Sequence, residues 1–108
     1  MTLGDIVLIP FPFAELDNIK IRPSAVIAAT KDKYKDLIIC AISSVVPVHL
    51  NECDIFIEAD ARNNLRTDSI IKVDRITTIS QSKIITVLGK LYKEKILELK
   101  TKFISLVD

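Results

Sequence analysis

A chain of 108 residues that is 49% hydrophobic is long enough to bury one core and too apolar to be disordered. Fifteen Lys and Arg against fourteen Asp and Glu leave a net charge of +1, which excludes a protein that coats nucleic acid through its overall field and points any anion recognition to a local cluster. The start lacks the basic and continuous apolar regions of a signal peptide, and no apolar run reaches the roughly 18 residues of a bilayer span, so a cytoplasmic protein without membrane contact is expected.

Glycine is scarce, with Gly4 and Gly89 alone, and turns must lean on Asn and Asp. Ile6-Val7-Leu8-Ile9 reads as a short strand whose ladder pairing Pro10 and Pro12 are expected to end. Ala14 to Ile19, with Asp17-Asn18 inside it, reads as an exposed loop. Ser24 to Ala29 is a second strand with Arg22-Pro23 at its mouth, and Lys31 to Asp36 is a charged turn. Leu37 to Ile42 is continuously apolar and should be a central strand covered on both faces, closed by Ser43-Ser44. Asp54 to Glu58 alternates, Asp60 to Arg66 reads as a loop, and Ser69 to Ile76 alternates again. Lys83 to Leu88 resembles a last strand before Gly89. The period then changes: Tyr92, Ile96, Leu99, Phe103 and Leu106 form one stripe of an amphipathic helix. Short strands at regular spacing plus one terminal helix predict a single domain over 1–108, mainly β, folded as a small bent antiparallel barrel. Cys40 and Cys53 lack metal-site spacing and read as two buried thiols of a reducing compartment.

Several of these pieces, taken in series, resemble one family. They are Gly4-Asp5-Ile6-Val7, Pro10-Phe11-Pro12-Phe13, Arg22-Pro23 before an apolar strand, Ala41-Ile42-Ser43-Ser44, the run Asp68 to Ile79, and Leu88-Gly89-Lys90-Leu91. Together they look like the MazF/PemK family, the toxins of bacterial toxin–antitoxin pairs. The resemblance implies an SH3-like barrel with a C-terminal α-helix, usually a homodimer. It also implies metal-independent endoribonuclease activity on single-stranded RNA, with mRNA as the target, no cofactor, and inhibition by a cognate antitoxin. Carried over, the family's catalytic arginine and hydroxyl are Arg22 and Ser43. Two departures stand out. The stretch from Ala14 to Ile21 has no glycine, and Ser43 replaces the more usual threonine, keeping the donor but losing the methyl that fixes its rotamer.

The chemistry asks for these residue types. Attack of a 2′-hydroxyl on the neighbouring phosphorus gathers negative charge on phosphate oxygens, and a guanidinium presents planar donors to two of them at once. Arg22 suits that clamp; the plainer alternative is an ion pair with Asp5 or Glu15. Ser43 can donate one hydroxyl, and strict strand alternation would turn Ser44 to the opposite face. Candidate RNA-binding residues are Phe11, Phe13, Lys20, Ser44, His49, Arg62 and Arg66. One of the two phenylalanines would stack on a base while the other anchors the core. His49, the only histidine, reads as a loop residue that touches bases rather than as the general base. Helix lysines read as a solvated face, and Asp68 and the Asp74-Arg75 pair as local caps or ion pairs. A different class of function uses the same barrel: a CcdB-like gyrase-binding toxin would act through the helix end, Phe103 to Asp108, and a catalytically degenerate interaction protein is a further alternative.

Overall fold

The computed structural model describes residues 1–12 and 19–108, with the backbone alone at 11, 12 and 19. Six strands and one helix follow in order: β1 (Asp5–Pro12), β2 (Ile19–Ala29), β3 (Leu37–Ser43), β4 (Asp54–Ile57), β5 (Ser69–Ile79), β6 (Thr86–Lys90) and α1 (Lys93–Ser105), with a 3₁₀ turn at Gln81–Lys83. The strands form one antiparallel sheet in the order β4-β5-β3-β2-β1-β6, curled into a half-barrel. The mainly β barrel with a terminal helix expected from periodicity is therefore present.

Alternation along the strands gives the sheet two apolar faces. Ile6, Ala25, Cys40, Ile42, Ile55, Ile71 and Val73 lie on one, where Ile96, Leu99, Phe103 and Leu106 of the helix pack. Val7, Ile9, Val26, Leu37 and Ile39 lie on the other, covered by Ile79 and Ile84. β3 feeds both cores, which is why its sequence is apolar without alternation. Tyr92, expected to head the helix stripe, is instead its exposed N-cap.

The element boundaries differ from expectation at the prolines. β1 runs through Pro10 and Pro12, whose Cα partners in β2 are Ile21 and Ile19. The other side of β1 pairs with β6 only as far as Leu8, so beyond that point it is an edge. A proline two residues from another turns its missing N–H to the same side, and an edge tolerates that. β2 consequently begins at Ile19, and Arg22 lies inside a strand rather than at its mouth. The segment 13–18, including most of the expected loop, lies outside the described residues. β5 continues three residues past the expected end, and Gly89 lies within β6 rather than after it.

The two terminal strands are joined by a loop instead of a ladder. The Lys90 amide donates to the Arg62 carbonyl at 3.1 Å, and the Asn64 side-chain amide donates to the Leu88 carbonyl at 2.6 Å. Arg62 Nε donates to the Leu91 carbonyl, and its guanidinium lies over the Tyr92 ring. On the β4 side, Asn63 donates to the Glu58 carbonyl while the Asp60 carboxylate accepts from the Arg62 and Asn63 amides. The loop backbone passes so close that a Cβ at Gly89 would drive into the Arg62 carbonyl oxygen.

Candidate functional site

Pairing between β2 and β3 is recorded up to Ser24 and Ala41. Arg22 and Ser43 stand two residues beyond them, one on each strand, so they share the same face. A cleft of about 560 Å³ opens there, and Arg22, Ser43 and Ser44 all line it. The Ser43 hydroxyl accepts a hydrogen bond from the Val45 amide at 3.1 Å, which orients the oxygen and leaves its hydrogen to donate. Ser44 reaches the cleft because β3 ends at Ser43; the expectation that only one serine could do so assumed strand alternation past the strand's end.

The third wall comes from β5. Cys40 of β3 is opposite Ile76 and the next residue, Ala41, is opposite Lys72, so Val73, Asp74 and Arg75 have no partner in β3. The excursion sends Val73 into the core and brings Lys72, Arg75 and Thr77 to the cleft. None of the three was singled out from the sequence as a site residue, and Arg75 was read with Asp74 as a local cap or ion pair. No ion pair joins Asp74 to Arg75. Among the described residues the lining holds three cations and no carboxylate.

Arg22 also borders a second cleft of about 470 Å³, with Ser44, Asn64 and Arg66 around a wall that includes Leu8 and Leu88. It therefore stands at the junction of two openings, and Arg66 joins it as the sequence suggested. Other candidates fall elsewhere. Arg62 is engaged in the loop between β4 and β6. Lys20 and His49 are exposed and line neither cleft. Phe13 and the Phe11 side chain lie outside the described residues. The suggested Asp5 partnership goes to Lys90 instead, at 3.1 Å, and Glu15 lies outside the described residues. Asp68 does cap locally, accepting from the Ala59 amide.

Two buried groups border this region. Ser24 also lines the first cleft, yet its hydroxyl is fully buried and is the one buried side-chain polar atom without a partner among the described residues. Cys40 donates from Sγ to the Val73 carbonyl, and burial, helped by Asp74, pushes its thiol up to about 12. Both cysteines are free; Cys40 is buried as expected, and Cys53 is only partly so.

The sequence pattern of PemK-like, MazF-like toxins of type II toxin–antitoxin systems matches residues 2–107. The chain belongs to this family. Among curated proteins no match is found. Membership in the PemK/MazF-like toxins gives the chain the toxin's part in a two-component pair and implies an antitoxin as its partner. Among the described residues no helix is long and apolar enough to cross a membrane.

Proposed function

We propose that this PemK/MazF-like toxin is a metal-independent endoribonuclease acting in the cytoplasm on single-stranded RNA, with mRNA as its target. The observation that carries the reading is the meeting of Arg22 and Ser43 in one cleft. In the reaction a 2′-hydroxyl loses its proton and attacks the adjacent phosphorus. The P–O5′ bond breaks, the 5′-oxygen takes up a proton, and the products are a 2′,3′-cyclic phosphate and a 5′-hydroxyl. Arg22 holds two phosphate oxygens as their charge grows, and Ser43 donates to one of them. The second, largely apolar cleft beside Arg22 suits a splayed base next to the scissile phosphate.

An antitoxin that blocks these clefts would switch the enzyme off, and an acidic segment folding over the cations has the matching chemistry. A homodimer is supported by exposed Val46, Val48 and Leu50 beside the first cleft, an apolar surface of the kind that partners cover. The gyrase-binding alternative draws on Ile104 and Val107, exposed at the helix end.

Incubation with mixed-sequence single-stranded RNA in EDTA decides between them. Cleavage leaving 5′-hydroxyl ends is expected, and Arg22→Ala should slow it by a factor of about 100 or more. No cleavage by the wild type would sink the reading in favour of a binding toxin.

A further inference from the structure

Three features of β5 remain beyond the Arg22–Ser43 pair. Lys72 and Arg75 line the same cleft from the opposite wall. The unpaired excursion Val73 to Arg75 is what brings them to one opening, since residues three apart on a regular strand would face opposite sides. Neither cation pairs with a carboxylate among the described residues. Asp54, the Cα partner of Lys72 in β4, accepts from the Asn51 amide instead, and the ion pairs among the described residues are Lys90–Asp5 and Lys95–Glu98.

β2 and β5 flank β3, so Arg22 and Lys72 rise from backbones roughly 10 Å apart, two interstrand spacings. Between them β3 contributes the small residues Ala41 and Ser43, over which long side chains can converge. Two cationic points across a shallow floor match two successive phosphates of one strand better than a single bidentate site. Ile76, 42% exposed, and Val45, 76% exposed, also line the cleft and supply apolar surface for the intervening nucleoside.

We infer that Lys72 and Arg75 form a second phosphate subsite, which holds the RNA phosphate adjacent to the one at Arg22 and Ser43. The inference rests on the RNA-cleaving reading for its ligand. It adds that the strand crosses the sheet from β2 towards β5, and that the excursion in β5 sets the binding register.

The test is binding read without cleavage. A fluorescein-labelled, mixed-sequence 2′-O-methyl RNA cannot supply the attacking hydroxyl, and its affinity is followed by anisotropy across a range of KCl concentrations. For the double variant Lys72→Ala/Arg75→Ala we expect at least a tenfold loss of affinity at low salt. The slope of log K against log salt should become shallower by about 0.7, the value for one released phosphate contact. Lys72→Arg/Arg75→Lys keeps the slope and controls for folding, and Lys31→Ala/Lys83→Ala, distant in the fold, controls for net charge. In cleavage assays the double variant should raise KM while kcat stays within a factor of two, whereas Arg22→Ala loses kcat. An unchanged affinity and slope in the double variant overturns the subsite even if the wild type cleaves RNA. Loss of polyglutamate binding with an unchanged RNA slope also overturns it, assigning the pair to a protein partner. If the wild type binds with the expected slope but never cleaves, the subsite stands and the enzymatic reading falls.

Discussion

At Ser24 a buried hydroxyl has no partner, and such a group carries its desolvation cost uncompensated. Ser24→Ala should therefore stabilise the fold by about 1 kcal/mol, read as a higher denaturant midpoint at unchanged m-value; a loss of stability would mean that the hydroxyl has a partner after all. Asp5 shows the opposite balance. Partial burial pushes its carboxyl up, but the Thr2 amide and the Lys90 ammonium outweigh this and hold it below the ordinary 3.8. A lowered folded value stabilises above the unfolded one, and that contribution disappears as pH falls through the folded value. The stability gap between wild type and Asp5→Asn should accordingly be constant near neutrality and shrink below about pH 4, as followed by urea titrations at each pH. Cys40, its thiol pushed up to about 12, should resist iodoacetamide at pH 8 while the less buried Cys53 reacts.

Among the elements, β3 and α1 were plain from sequence because each has one dominant periodic signal. A run from Leu37 to Ile42 without polar interruption is too continuously apolar for a half-exposed strand, and the strand that forms there feeds both cores. The helix stripe of Ile96, Leu99, Phe103 and Leu106 packs as its spacing required, and truncating fully buried Leu99 to Ala should cost about 2–5 kcal/mol in thermal or chemical unfolding. β1 and β5 were less readable. Proline is a stop signal only where both sides of a strand are paired, and one-sided pairing beyond Leu8 is a tertiary fact. The excursion in β5 has only a faint local marker, the doubled polar pair Asp74-Arg75 that shifts the apolar phase from Ile71 and Val73 to Ile76; two of the three cations that line the cleft among the described residues, Lys72 and Arg75, reach it through that excursion. Arg22, Ser43, Ser44 and Arg66 were accessible through family-like motifs and charge, whereas Arg62 shows that a loop arginine reads the same whether it meets a ligand or a neighbouring carbonyl.

For the molecule as a whole, a net charge of +1 coexists with a cleft lined by Arg22, Lys72 and Arg75, so the RNA binding proposed above would be confined to a small area. Two phosphates of a single strand, one at Arg22 and one at the Lys72–Arg75 pair, imply a salt slope of about −1.4, measurable by the same anisotropy titration, and a slope beyond about −5 would place many more lysines at the interface. Global architecture also distributes fragility. β4 and β6 meet through the loop around Arg62, Asn63 and Asn64, and that loop crosses over Gly89. Gly89→Ala should destabilise by about 2 kcal/mol or more, since backbone rather than a pliable side chain must yield, with a lowered melting temperature as the readout. The same clasp implies a sequence of events in time. A circle completed by a few mixed hydrogen bonds opens more readily than one completed by a ladder, so amide exchange at Lys90 should outpace that of the paired amides in β3 by orders of magnitude. The molecule would then breathe as a hoop with a single buckle, parting between β4 and β6 while the strands that carry Arg22 and Ser43 stay shut.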